Sequence, residues 1–472
     1  MSGSPARHIA IDLGASGGRV ALGAVEGGRL SFDILHRFPN RAVPLGASLY
    51  WNMLELWREI RHGLRIASGQ GPVASIGVTT WGVDYALFDA DMLPIGMVHS
   101  HRDRRTEGVI DTLDETMPRA DLYQATGVQF LPINTLPQLL AAKRASPDLF
   151  SRATRFLMLP DLIHYWLCGV AACEHTNAST TQLYDPVRRD WSNTVLTAFG
   201  IPRAMFPDLV EPGTILGPLL PAIAADTGLA GTIVIAPATH DTASAIAAIP
   251  AEAGEDWAYI SSGTWCLAGI ERPRPLISEA ARRANITNEQ GIAGTTRLLK
   301  NTSGLFILQE CLRAWGDPPI EPILQDAAAL CSDVAIDPTE PDFAHPGVTM
   351  PDRILRWCAA RGVVLDPAPA VITRAVLRGL AASLATSLAE IDQVANHQTR
   401  RIHIVGGGSR IDLLCQAIAD CTNATVIAGP VEATTAGNLL VQAASIGVIA
   451  PGAIRPVMRA TADLRRFIPT TR

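Results

Sequence analysis

The stretch His8-Ile-Ala-Ile-Asp-Leu-Gly14, Ala15-Ser16-Gly17-Gly18, Arg19-Val-Ala-Leu-Gly-Ala-Val25 decides how the chain is read. Two strand-patterned runs flank a turn of small residues, which is the pattern of a β-hairpin. The same device returns near mid-chain. Trp257-Ala-Tyr-Ile260 leads into Ser261-Ser262-Gly263-Thr264, and Trp265-Cys-Leu-Ala-Gly-Ile270 leaves it. One design used twice predicts two related domains, 1–250 and 251–472, facing each other across a cleft.

Outward from the hairpins, apolar runs predict strands at 73–80, 232–236, 401–405 and 424–428. Helical spacing predicts helices at 136–145, 161–167, 242–249 and, amphipathic and long, 371–394. The Pro- and Asp-rich segment 337–352 reads as a loop. Strands alternating with helices give an α/β fold.

Composition narrows the function. The chain has 472 residues, 48% of them hydrophobic and 18% charged, ample for a large core. A net charge of -6 leaves no basic excess to neutralise nucleic-acid phosphates. The first seven residues are short and polar, so no secretory leader is expected. No run of about 18 uncharged apolar residues is seen, so no membrane span is expected. The eight cysteines form no Cys-x-x-Cys pair and read as reduced thiols of a cytoplasmic protein. Lys143 and Lys300 are the only lysines, so there is no Gly-Lys-Ser/Thr phosphate loop.

Several clusters carry chemistry. Backbone N–H groups in the turn Ala15, Ser16, Gly17, Gly18 can hold phosphate. Asp12 can position Mg²⁺ or its waters, and Arg19 can stabilise charge on a transferring phosphoryl group. A tight turn with ordinary glycines explains the same residues. The turn also fits Gly-x-Ser-x-Gly, but a nucleophile elbow at Ser16 would need a helix to follow, and a strand pattern follows instead.

Ser262-Gly263-Thr264 is a matching turn in the second half. Gly406-Gly407-Gly408 follows a strand, and Ile411 stands where a dinucleotide fingerprint needs its last glycine. His240-Asp241-Thr242 precedes an Ala-rich helix. Asp241 is either an N-cap or a carboxylate that accepts the proton of an attacking hydroxyl, with His240 and Thr242 on neighbouring hydroxyls. Two further clusters look like polyol recognition: Trp81-Gly82-Val83-Asp84 offers an aromatic face, an open backbone and a carboxylate, and Arg102-Asp103-Arg104-Arg105 is a charge run whose default reading is a solvated surface or a salt-bridge network. Asn301 and Gln309 are expected on one face of a helix.

Taken together, the segments resemble the FGGY carbohydrate kinases of the sugar kinase/actin/Hsp70 superfamily over nearly the whole chain. The resemblance is carried by residues 12–19 (DLGASGGR), 79–84 (TTWGVD), 127–136 (GVQFLPINTL), 176–183 (TNASTTQL) and 240–245 (HDTASA). Further stretches are 261–265 (SSGTW), 285–291 (NITNEQG), Lys300-Asn301, 403–408 (HIVGGG) and 428–433 (AGPVEA). Within the family the pattern is most similar to members acting on L-rhamnulose.

The resemblance implies two ribonuclease H-like domains, as in actin-like ATPases, with ATP and sugar between them. It implies ATP-dependent phosphorylation of L-rhamnulose at its 1-hydroxyl, with Mg²⁺, or of another ketose such as L-fuculose or L-xylulose. A non-catalytic ATP-binding protein is the reading from another class. The resemblance makes Asp241 the proton acceptor and assigns Gly82, His240, Thr242 and Asn301 to the sugar. Ala15, Ser16, Gly17, Gly18, Arg19, Thr264, Gln309 and Gly407 fall to the nucleotide. Three positions depart from the pattern: Gly17 replaces a serine, His101 a tyrosine and Asn52 an aspartate. The last two are expected to retune sugar choice. No family disulfide carries over to Cys415 and Cys421.

Overall fold

The computed structural model describes residues 5–252, 254–344, 347 and 349–470. The chain forms two compact units that interleave along the sequence. One contains Met1–Pro250, Glu271–Leu298 and Ala433–Thr461; the other contains Ala251–Ile270, Leu299–Glu432 and Ala462–Arg472.

The first unit is built on β1 (Arg7–Gly14), β2 (Gly17–Glu26), β3 (Arg29–Pro39), β4 (Ser75–Thr80), β5 (Thr214–Pro218) and β6 (Ile233–Ala236), in the order β5-β6-β4-β1-β2-β3. Strands β1, β4 and β6 run parallel, whereas β2 is antiparallel to β1 and β3, and β5 to β6. Every residue of β4 is buried, as expected of a parallel strand covered on both faces.

Close packing on both faces is visible along β2, where side chains alternate from face to face. Helix α1 (Met53–Ser68) approaches one face so closely that a Cβ on Gly63 would lie 2.5 Å from Val20. Helix Ala433–Ser445 covers the other, where a Cβ on Gly23 would lie 2.8 Å from Leu439. Buried amide side chains pin this helix to the sheet: Gln442 Nε2 donates to Ile9 O and Asn438 Nδ2 to Gly77 O.

The second unit repeats the plan with β7 (Trp257–Ser262), β8 (Trp265–Arg272), β9 (Arg401–Val405), β10 (Thr425–Ala428) and β11 (Arg465–Phe467), in the order β8-β7-β9-β10-β11. Strands β7, β9 and β10 are parallel; β8 and β11 are antiparallel to their neighbours. In each unit a hairpin feeds two further parallel strands and an antiparallel edge strand. This is the ribonuclease H-like arrangement of actin-like ATPases, used twice.

The 27-residue helix Pro369–Ala395 is long and apolar enough to cross a membrane by length and composition, but Arg374, Arg378, Glu390 and Asp392 interrupt it, so it holds no run of about 18 uncharged apolar residues. Its stripe Ile372, Val376, Leu380, Leu384, Leu388 is buried within the second unit, so it serves as a core helix. The expected loop 337–352 contains a short helical turn, Pro341–Ala344, and the start of helix Met350–Ala359; residues 345, 346 and 348 lie outside the described residues. Asn301 lies in a strand, Thr296–Ser303, and not on the helix with Gln309. The chain breaks at Gly304, where a Cβ would lie 2.5 Å from the Trp265 backbone, and helix Phe306–Ala314 starts only afterwards.

Candidate active site

Parallel strands end on the same edge of a sheet, and ligands of α/β folds gather there. In the first unit this edge collects the turn after β1, Trp81-Gly82 after β4 and His240-Asp241 after β6. The Thr80 N–H donates to Thr239 O at 2.9 Å, locking the last two together.

Asp12 is buried near the end of β1, paired with Arg19 across the hairpin. Arg19 Nε lies 3.5 Å from Asp12 Oδ2, and the hydroxyls of Thr79 and Thr435 lie 3.3 Å from its two oxygens. The turn is tight, with Gly14 paired to Gly17. Ser16 is exposed at the tip, Ala15 and Gly17 are half-buried, and Gly18 is buried. Gly18 has a packing reason to lack a side chain, since a Cβ would lie 2.3 Å from the Phe38 ring. A strand, not a helix, follows Ser16, so the nucleophile-elbow reading is excluded.

Asp241 is the first residue of helix Asp241–Ala247, where the positive end of the helix favours a carboxylate. It is not the N-cap; His240 holds that position. The Asp241 side chain keeps 30% of its surface exposed. Its Oδ1 accepts the Thr242 N–H at 2.5 Å and the Thr242 hydroxyl at 3.1 Å, and His240 Nε2 lies 3.4 Å away. None of these contacts uses Oδ2.

Behind His240 stand two charged residues to which no role was assigned: Glu289, inside the quoted stretch 285–291, and Arg297, outside every quoted motif. Arg297 Nη2 lies 3.1 Å from His240 Nδ1 and 3.0 Å from Glu289 Oε2. Arg297 is fully buried and Glu289 nearly so. The Thr434 hydroxyl adds a bond to Asp241 O at 3.2 Å. The His240 N–H donates to the Thr176 hydroxyl, which in turn donates to Glu174 Oε2. Burial pushes the Glu174 carboxyl up despite these donors, and pushes its buried neighbour Asp161 well above the usual carboxylate range.

The Trp81–Asp84 cluster divides. Gly82 is buried with Thr180 against it, and a Cβ would lie 3.0 Å from that side chain. Asp84, expected to meet a polyol, is 0% exposed. It accepts from Trp51 Nε1 at 2.6 Å, Trp81 Nε1 at 2.8 Å, His101 Nδ1 at 3.0 Å and Gln138 Nε2 at 3.0 Å. Burial pushes its carboxyl up, but His101 and the other donors outweigh this and hold it below the usual range. It is a structural hub, not a sugar ligand. His101 belongs to this hub, and Asn52 is an exposed N-cap whose Oδ1 accepts the Glu55 N–H. The charge run also divides: Arg104 pairs with Glu107 in solvent, while Asp103 is buried and accepts the Arg105 N–H.

In the second unit, Thr264 follows β7 and Gly407 follows β9, so these two also meet at the carboxyl edge. Gly263 O accepts the Leu305 N–H, and Thr264 O the Phe306 N–H, tying the turn to the start of the helix that carries Gln309. The triglycine has two roles. A Cβ on Gly408 would lie 2.1 Å from Ser262 Oγ, and one on Gly406 2.8 Å from Ser262 O, so both glycines serve close packing. Gly407 is exposed, and a Cβ there would meet nothing nearer than 4.0 Å. Thr264, Gln309 and Asn301 are half-buried in this unit.

The N-terminal domain profile of the FGGY family of carbohydrate kinases matches residues 8–248, and its C-terminal domain profile matches 258–446. Curated relatives extend over nearly the full chain. A rhamnulokinase of Pectobacterium carotovorum is 39% identical over 98% of this chain and 92% of its own length. One of Halalkalibacterium halodurans is 36% identical over 98% and 99%. The fold is shared with a ligand-bound xylulose kinase of Lactobacillus acidophilus, with a TM-score of 0.80 at 14% identity over 98% of this chain and 94% of that one. It is shared also with Plasmodium falciparum glycerol kinase with ADP, with a TM-score of 0.78 at 14% identity over 100% and 95%. A double-hairpin chain, matched in both halves and over almost its whole length, therefore belongs to the FGGY family of carbohydrate kinases, enzymes that take the phosphoryl group from ATP.

Proposed function

We propose that this kinase transfers the γ-phosphoryl group of ATP to the 1-hydroxyl of L-rhamnulose, yielding the 1-phosphate and ADP. Full-length similarity at 36–39% identity to proteins named rhamnulokinase supports the sugar. The observation that carries the chemistry is Asp241, whose Oδ2 lies outside the contacts that fix Oδ1. Oδ2 takes the proton of the 1-hydroxyl as its oxygen bonds to the γ-phosphorus, and the bond from that phosphorus to the β–γ bridging oxygen breaks. His240, Thr242, Gly82 and Asn301 bind sugar hydroxyls in this reading. The turn 15–18, Arg19, Thr264, Gln309 and Gly407 hold the nucleotide, so residues 1–250 carry the base and, Asn301 apart, the sugar contacts, and 251–472 carry Asn301 and the rest of the ATP site.

Asp12 suits Mg²⁺. Among the described residues no group of three or more His, Cys, Asp or Glu could hold a metal. A single carboxylate flanked by the Thr79 and Thr435 hydroxyls fits an ion that keeps most of its waters and takes other ligands from phosphates. Bound there, Mg²⁺ would neutralise phosphate charge. All eight cysteines are free thiols, which supports a cytoplasmic setting.

The test is a ketose panel read by ADP release. The highest kcat/KM is expected for L-rhamnulose. A higher value for L-fuculose or L-xylulose would replace the sugar and keep the chemistry. ATP binding with no sugar-dependent ADP would remove the kinase reading.

A further inference from the structure

We infer that Arg297, charge-balanced by Glu289, is a positioning residue that sets the tautomer of His240, so that a neutral N–H donor rather than an imidazolium stands beside Asp241. The inference rests on the proposed role of Asp241 as proton acceptor, but its geometry stands apart from that role.

Arg297 is fully buried, with Nε donating to Gln290 O at 3.0 Å and Nη2 held 3.0 Å from Glu289 Oε2. The same Nη2 lies 3.1 Å from His240 Nδ1. A guanidinium carries only donors, so a hydrogen bond there requires Nδ1 to be the acceptor. The single imidazole proton then sits on Nε2, and Nε2 is the nitrogen that faces Asp241 Oδ1 at 3.4 Å.

The charged groups around the ring are Asp241, Glu289 and Arg297. Glu289 Oε2 lies 3.3 Å from Nδ1 and on its own would draw a proton there. Its nearer contact is the arginine, which answers its charge and occupies the Nδ1 face. The order matters for the reaction. An imidazolium beside Asp241 would stabilise the carboxylate and make it a poorer proton acceptor. A neutral Nε2–H orients Oδ1 and leaves Oδ2 basic.

Replacing Arg297 removes the donor and lets Glu289 recruit a proton to Nδ1. In Arg297→Met, kcat is expected to fall about tenfold, with KM for ATP unchanged and the acid limb of the kcat/KM profile moved to higher pH. The double variant Arg297→Met/Glu289→Gln removes the proton-attracting carboxylate as well, so the acid limb is expected to return toward wild type. A merely structural arginine would give equal loss at every pH and no return.

Because Arg297→Met leaves Glu289 buried without its cation and could fail to fold, the deciding measurement uses the wild-type protein. Long-range ¹H–¹⁵N correlation on ¹⁵N-histidine-labelled protein, with His240 assigned by comparison with His240→Gln, is expected to show the Nε2–H tautomer at neutral pH. An Nδ1–H tautomer or an imidazolium overturns the inference. Neither outcome depends on turnover, so failure of Asp241 as the base would be seen separately.

Discussion

Thr435 donates its hydroxyl to Asp12 Oδ2 at 3.3 Å across 423 positions of sequence. Its neighbour Thr434 bonds the main-chain oxygen of Asp241. The first turn of helix Ala433–Ser445 therefore holds both acidic residues that the proposed reaction uses. The same helix is bolted to the sheet by Asn438 and Gln442.

That helix crosses helix Asp241–Ala247 at Gly437, where a Cβ would lie 1.8 Å from Ser244 O. Backbone cannot yield there without moving one helix. Gly437→Ala is expected to cost about 1–3 kcal/mol, read as a lower urea midpoint. It should also lower kcat more than it raises KM for ATP, because Asp241 rides on the displaced helix. An unchanged midpoint would contradict the packing.

The triglycine gives a paired prediction. Gly408→Ala should lower the thermal midpoint, since its Cβ would lie 2.1 Å from Ser262 Oγ and 2.6 Å from Ser262 Cβ. Gly407→Ala should stay within about 0.5 kcal/mol of wild-type stability and raise KM for ATP. The reverse pattern, with Gly407 structural and Gly408 tolerant, would contradict the division of roles. Thermal melts and ATP kinetics on the two variants decide it.

Much of this was legible in the sequence for local reasons. Both hairpins announce themselves by apolar runs around a small-residue turn, and the observed strands, Arg7–Gly14 with Gly17–Glu26 and Trp257–Ser262 with Trp265–Arg272, lie within two residues of that reading. The long helix Pro369–Ala395 follows from its apolar periodicity. Non-local pairing was not legible. Glu289 and Arg297 lie in runs that were given no element in the sequence, and nothing local says that both are buried against His240. Asp84 was misread for the converse reason: a carboxylate beside tryptophan and glycine looks available to a polyol, but Trp81 itself and three donors from farther along the chain, Trp51, His101 and Gln138, claim it. Asn301 looked helical because Gly304, the actual break, is explained only by the approach of Trp265.

Asp161 gives a pH prediction. Burial holds its folded-state carboxyl well above the ordinary value of 3.8, so the folded protein binds a proton that the unfolded chain releases. The associated stability is fully present below about pH 4 and is lost as pH rises toward the folded value, by up to about 1.4 kcal/mol per pH unit. Asp161→Asn removes this loss, so its urea midpoint relative to wild type should rise as pH is raised from about 4. Parallel midpoints across that range would show that the group does not stay protonated.

The account turns on Asp241 as proton acceptor. Asp241→Asn keeps the side-chain shape and an acceptor for Thr242 while removing the base. Turnover, read as ketose-dependent ADP formation, is predicted to fall by about 10²–10⁴-fold, with calorimetric ketose affinity within about twofold of wild type, a difference of about 0.4 kcal/mol. A folded Asp241→Asn enzyme that turns over at near the wild-type rate would contradict the mechanism.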